Sequence, residues 1–199
     1  TRNAVAPVLY NGDVLASFSS GEIVFADAKT GAQKWHYNLT KTSDLTSPSF
    51  EPALLVTAPI IKENYAYFAT SNGDLMKMDL DNGAPSWSRK IYDVQSMSMV
   101  GDNLFLTTNA RQIAGLSAHN GKISWVGNLI SLKERSVKKV KVAAFQAPFV
   151  TKETSGFAVS VIAGNGELYR FNSSENGRLP ETPEILKVEK KIEYHWISC

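Results

Sequence analysis

Short apolar runs with a two-residue period dominate the chain, and its repeated segments lack the 3.6-residue period of an amphipathic helix. Val14-Leu15-Ala16-Ser17-Phe18, Tyr65 to Thr70 and Leu104 to Thr107 each read as a strand. Glu22 to Ala26 and Leu75 to Met78 alternate polar and apolar, the pattern of a half-buried strand. Met76, Met78, Met97 and Met99 fall on strand faces by the same period. Turn formers with glycine at the tight position separate the runs, at Ser20-Gly21, Asn72-Gly73 and Asn165-Gly166. A second hairpin closes at Thr30-Gly31, Asn82-Gly83 and Asn120-Gly121. Pro7, Pro59 and Pro148 each open a first or edge strand, where a missing N–H costs least.

This order of elements occurs four times. The late glycine, at Gly31, Gly83, Gly121 and Gly177, advances by 52, 38 and 56 residues, a mean of about 49. Trp35, Trp87 and Trp125 each follow their glycine by four residues; the fourth copy has no such Trp. Four antiparallel strands per repeat of roughly 40–55 residues describe a β-propeller blade. The fold class is therefore all-β, a partial β-propeller of about four blades. Residues 1–184 hold the blades, at about 4–40, 57–92, 96–128 and 147–180, and 185–199 is a tail or closing strand. Two longer segments interrupt the rhythm. Residues 39–56 are a loop or a short strand extension. Residues 129–146 carry Lys133, Arg135 and Lys138 to Lys141, either a solvated loop or a contact for an acidic partner.

Composition narrows the chemistry. Twenty-one Lys and Arg against 19 Asp and Glu give a net charge of +2, no footprint for nucleic acid. No apolar run approaches 18 residues, so no helix is expected to span a membrane. The one cysteine, Cys199, excludes a disulfide framework and a thiolate metal cluster. His36, His119 and His195 stand apart from one another and from acid partners, so no metal site is expected. No Gly-x-Ser-x-Gly elbow occurs, and the glycines precede strands rather than helices, so they form no phosphate cradle.

Asp27-x-x-Thr30-Gly31-x-x-x-Trp35 resembles the tryptophan-docking repeat of PQQ-like propellers. Asp79-x-x-Asn82-Gly83-x-x-x-Trp87 is a close second copy, and Ser117-x-x-Asn120-Gly121-x-x-x-Trp125 departs at the acid. The resemblance implies blade docking through Trp35, Trp87 and Trp125, with Gly31, Gly83 and Gly121 supplying the positive-φ turns. One branch of that superfamily, the quinoprotein dehydrogenases, usually has a Glu/Asn/Asp calcium set, a catalytic Asp and often a vicinal disulfide. This chain has one cysteine and no assignable acid cluster, so the dehydrogenase, or another ligand-binding propeller, is the alternative reading.

The other branch is the BamB-type propeller, which it resembles over roughly residues 1–180, in Thr57-Ala58-Pro59 through Trp87 and in Val94 through Asn109. That resemblance implies a non-catalytic scaffold with no cofactor. Its partners would be BamA-like POTRA domains and outer-membrane protein substrates, at the periplasmic face of the outer membrane. A lipid anchor outside this chain would supply the attachment. Arg2, ahead of Ala6-Pro7, matches an arginine of the family's BamA-binding surface. The family's acid pair falls here on Leu54 and Val56, a departure; Asp44 or Glu51 would have to serve instead. Since such rings usually have eight blades, four suggest half a ring. Two copies are then expected to pair into one closed ring.

Overall fold

The computed structural model describes residues 5–39, 53–129 and 144–187. They form four antiparallel four-stranded sheets and no helix. The first blade comprises β1 (Val8–Tyr10), β2 (Asp13–Ser17), β3 (Glu22–Asp27) and β4 (Gln33–Asn38). The second comprises β5 (Ile60–Lys62), β6 (Tyr65–Ala69), β7 (Asp74–Asp79) and β8 (Pro85–Lys90). The third holds β9 (Val94–Val100), β10 (Asn103–Thr108), β11 (Gln112–Ser117) and β12 (Ile123–Asn128). The fourth holds β13 (Phe149–Glu153), β14 (Gly156–Ile162), β15 (Glu167–Asn172) and β16 (Glu184–Lys187). Each sheet is a meander, its strands paired in chain order. This is the all-β propeller architecture that the repeats predict.

Two details sharpen the strand assignments. The first strand is long only where proline is absent. β9 runs unbroken from Val94, whereas Pro59 and Pro148 interrupt the second and fourth blades, leaving Leu55↔Thr70 and Phe145↔Ala163 as isolated bridges ahead of the break. The last blade takes its fourth strand from Glu184–Lys187, beyond residue 180 and largely in the stretch that the sequence leaves open between tail and closing strand.

The cores lie between blades rather than within them. Leu15, Ile23, Phe25 and Trp35 of the first blade pack with Ala66, Phe68, Met76 and Met78 of the second. Tyr67, Ala69 and Leu75, on the opposite face of the second blade, pack with Met97, Leu104, Leu106 and Leu116 of the third. Phe105 and Ile113 then join Val159, Val161, Tyr169 and Phe171 of the fourth. A strand in the middle of the stack is therefore covered on both faces. The alternation in β7 does not separate core from solvent: Asp74 to Met78 are all buried, and period two sorts their side chains between two cores. Lys77 shows how a charge is tolerated there. Its ammonium lies 3.7 Å from the ring centre of Tyr65 and 5.7 Å from that of Tyr67, over negative aromatic faces. Burial pushes the Tyr67 phenol up to about 12.

Candidate functional site

The motif Asp-x-x-Thr/Asn-Gly-x-x-x-Trp builds one rigid turn and one projecting ring. In the first blade the Asp27 carboxylate accepts the N–H groups of Lys29 (3.0 Å) and Thr30 (2.7 Å) and the Thr30 hydroxyl (2.8 Å). These bonds, led by the Thr30 N–H, hold Asp27 below the usual carboxylate range. The chain then reverses at Gly31, with φ +73°. A bulge follows between Phe25 and Ala26, and Trp35 ends opposite Phe25 on the outer strand β4. The second and third blades repeat the bulge and place Trp87 opposite Lys77 and Trp125 opposite Gly115.

Each tryptophan reaches into the following blade. The Trp35 indole N–H donates to the Leu80 carbonyl at 2.7 Å, and that of Trp87 to the Ala118 carbonyl at 3.1 Å. Both acceptors immediately follow the third strand of the next blade. The ring then lies against that blade's turn glycine. A Cβ on Gly83 would stand 2.7 Å from Trp35 Cδ2, and one on Gly121 2.9 Å from Trp87 Cε3. Glycine is thus required twice at these positions, for the positive φ and for the space beneath the indole. The contact couples the motif of one repeat to the motif of the next, which no single copy of the sequence reveals.

The third junction departs from this rule. The fourth blade has a longer loop after β15, and the Trp125 N–H donates to the Pro180 carbonyl at 2.9 Å. Its ring meets Phe171 edge-on, with centres 4.9 Å apart. Among the described residues, no side chain or backbone stands near the open side of Gly177, fourth of the periodic glycines. A second tie is missing as well. At the last residue of the first strand, Tyr10 donates its hydroxyl to the Glu63 carbonyl. Lys62, at the matching place, donates to the Gly101 carbonyl at 2.9 Å and pairs with Asp102. The third blade carries Val100 there, which cannot make such a bond. A groove of about 610 Å³ opens at this junction, lined among others by Val100, Phe105, Trp125, Val126, Val150 and Phe157. Arg178 and Glu181 supply one charge of each sign. Val100 and Val126 are both 41% exposed.

Other residues singled out by the sequence fall as follows. His36 is exposed on β4, its Nδ1 3.2 Å from the Gln33 amide nitrogen, and His119 is exposed in a turn. Arg2, Asp44, Glu51, His195, Cys199 and the basic stretch at 133–141 lie outside the described residues. Among the described residues, no three His, Cys, Asp or Glu side chains gather where they could hold a metal ion. The groove was missed from sequence. Aligning Tyr10, Lys62 and Val100 by their hairpins would have exposed it.

Four four-stranded blades, the first three joined through indole–glycine contacts, define a PQQ-repeat β-propeller. The chain belongs to the family described as outer membrane protein assembly factor BamB, whose profile matches residues 1–127. It is 34% identical, over 98% of its length and 47% of the relative's, to the uncharacterized protein RC0314 of Rickettsia conorii. It is 27% identical to the outer membrane protein assembly factor BamB of Legionella pneumophila, over 66% of this chain and 34% of that one. The solved BamB of Moraxella catarrhalis superposes with a TM-score of 0.57 at 16% identity, covering 85% of this chain and 48% of its own. A quinohemoprotein alcohol dehydrogenase from Pseudomonas putida shares the fold at a TM-score of 0.62 and 12% identity, over 89% and 34%. The chain spans about half the length, or less, of the curated relatives it matches.

Two predictions follow from the junctions. Gly83→Ala adds a clash with Trp35 to the cost of positive φ and should lower stability by about 2–4 kcal/mol. Gly31→Ala meets only the φ cost, about 1–2 kcal/mol, so urea midpoints should fall clearly further for Gly83→Ala. The Lys62–Asp102 tie sets a pH dependence. The hydrogen bond from Lys62 lowers the Asp102 pKa, so the stability it contributes is present above 3.8 and lost as pH falls through the folded value. Lys62 is raised by the same bond, so its share is present below 10.5 and lost as pH rises through its folded value. Asp102→Asn should therefore reduce the urea midpoint at pH 7, and the gap to the parent chain should close as pH falls below 3.8 through the lowered pKa of Asp102.

Proposed function

We propose that this chain is a non-catalytic, protein-binding part of an outer-membrane protein assembly factor. It would act at the periplasmic face of the outer membrane by binding BamA-like POTRA domains and assisting insertion of outer-membrane proteins. The observation that carries this reading is the family match over residues 1–127. The groove between the third and fourth blades supports it. It offers exposed valines and aromatic rings beside Arg178 and Glu181, a surface suited to the apolar side chains and polar backbone of a partner. Arg2, Asp44 and Glu51 remain the sequence's own candidates for that contact.

The quinoprotein fold likeness supports a second reading, a propeller that binds a quinone cofactor with calcium. The two readings separate in one set of measurements. A soluble POTRA array should retain the chain in a pull-down, and Val126→Asp or Arg2→Glu should weaken retention about tenfold or more. Failure of the unaltered chain to bind any POTRA domain contradicts the proposal. Saturable binding of PQQ with calcium, with dye-linked alcohol oxidation, would establish the second reading in its place.

A further inference from the structure

The groove at the third junction opens where the first strand of the third blade contributes little apolar bulk. Residues directly opposite one another on paired strands share a face. Val8, Ile60 and Ser98 stand opposite Leu15, Tyr67 and Phe105, so all three look toward the following blade. Tyr10, Lys62 and Val100 share that face two residues on. Tyr10 packs against the first core and Ile60 against the second, whereas among the described residues none of β9 joins the third. What β9 offers there is Ser96, Ser98 and Val100. Ser96 is satisfied, its hydroxyl lying 2.6 Å from that of Thr107 and 3.1 Å from the Gln146 carbonyl. The Ser98 hydroxyl is buried and finds no hydrogen-bond partner among the described residues.

The walls of the groove define what fits it. Phe105, Trp125 and Phe157 are aromatic, and Val100, Val126 and Val150 are aliphatic. Its volume of about 610 Å³ lies in the ~300–1,000 Å³ range of binding pockets. Arg178 and Glu181 carry opposite charges, and among the described residues neither is ion-paired. Their charges cancel, so a cationic anchor gains little over a neutral one. A guanidinium donor and a carboxylate acceptor complement the carbonyl and N–H groups of an extended segment.

We infer that this groove takes a tyrosine from an extended segment of a protein partner. The ring fills the space between Phe105, Trp125 and Phe157 that β9 leaves open, and the phenol hydroxyl bonds the Ser98 hydroxyl. A phenol suits the place twice, with an apolar body and a polar tip. Tyr10 makes the same combination at the first junction, its side chain against the core and its hydroxyl on the Glu63 carbonyl. The inference rests on the reading of this chain as a protein-binding propeller, and it names the chemistry of the partner's anchor.

Acetylated and amidated Ser-Val-Tyr-Val-Ser tests it on the intact chain, beside the same peptide with Phe, Lys or Ala at its centre. The tyrosine peptide should shift the Trp125 indole N–H in a saturable NMR titration. It should bind about tenfold or more tighter than the alanine peptide, and about three- to tenfold tighter than the phenylalanine peptide. Ser98→Ala should keep the urea midpoint and abolish the preference for tyrosine over phenylalanine. Val100→Tyr gives the third blade the ring of the first. It should reduce peptide affinity about tenfold or more without lowering the urea midpoint, and Val126→Asp should weaken binding similarly. The inference is overturned by no saturable shift at Trp125, by equal affinity for the tyrosine and phenylalanine peptides, or by tighter binding of the lysine peptide. Binding untouched by both Val100→Tyr and Val126→Asp overturns it too. So does a dimer of the chain alone that Val100→Tyr disperses, because a second copy would then be the occupant. Peptide binding without POTRA retention contradicts the proposed partner and leaves the tyrosine anchor standing. POTRA retention without peptide binding does the reverse.

Discussion

An indole lying on a glycine of the next blade is the contact on which the rest of the structure depends. Each sheet alone has two apolar faces and cannot bury both. Stacking solves this, but only if neighbouring sheets hold a fixed angle and offset. The Trp35–Gly83 and Trp87–Gly121 contacts fix that offset at the outer edge, with a hydrogen bond to a backbone carbonyl that sets the direction as well as the distance. The cores follow from it. Once the blades are in place, β7 is buried on both faces, Lys77 must find aromatic faces, and the phenol of Tyr67 is kept protonated well beyond its ordinary range.

Variation in that contact is also where the stack opens. The first two junctions are closed twice, by the indole and by Tyr10 or Lys62. At the third, the indole finds a different carbonyl and Val100 makes no polar tie, and a groove remains.

Much of this was legible in the chain because turns are local. The glycines, the four-residue spacing to tryptophan and the period-two runs place the five strands given bounds from sequence to within a residue, as at Tyr65–Ala69 and Asp74–Asp79. What escaped is non-local. The two-sided burial of β7 cannot be read from Leu75-Met76-Lys77-Met78, since period two looks alike whether the second face meets water or another core. The fourth strand of the last blade was obscured because its repeat has lost the tryptophan and gained residues after Asn172, so Glu184–Lys187 carries no marker. The acceptors of the indoles, Leu80, Ala118 and Pro180, are backbone groups and leave no residue signature at all. The partner residues inferred from resemblance, Arg2, Asp44 and Glu51, lie outside the described residues.

The central claim is that indoles bonded to the following blade hold the stack together. Hydrogen exchange at the indole N–H groups of Trp35, Trp87 and Trp125, followed by NMR in the native chain, tests it most directly. The account predicts strong protection of Trp35 and Trp87, lost only with global unfolding, and weaker protection of Trp125, whose indole hydrogen bond lies exposed beside the groove. Exchange of Trp35 and Trp87 at the rate of free indole would contradict it.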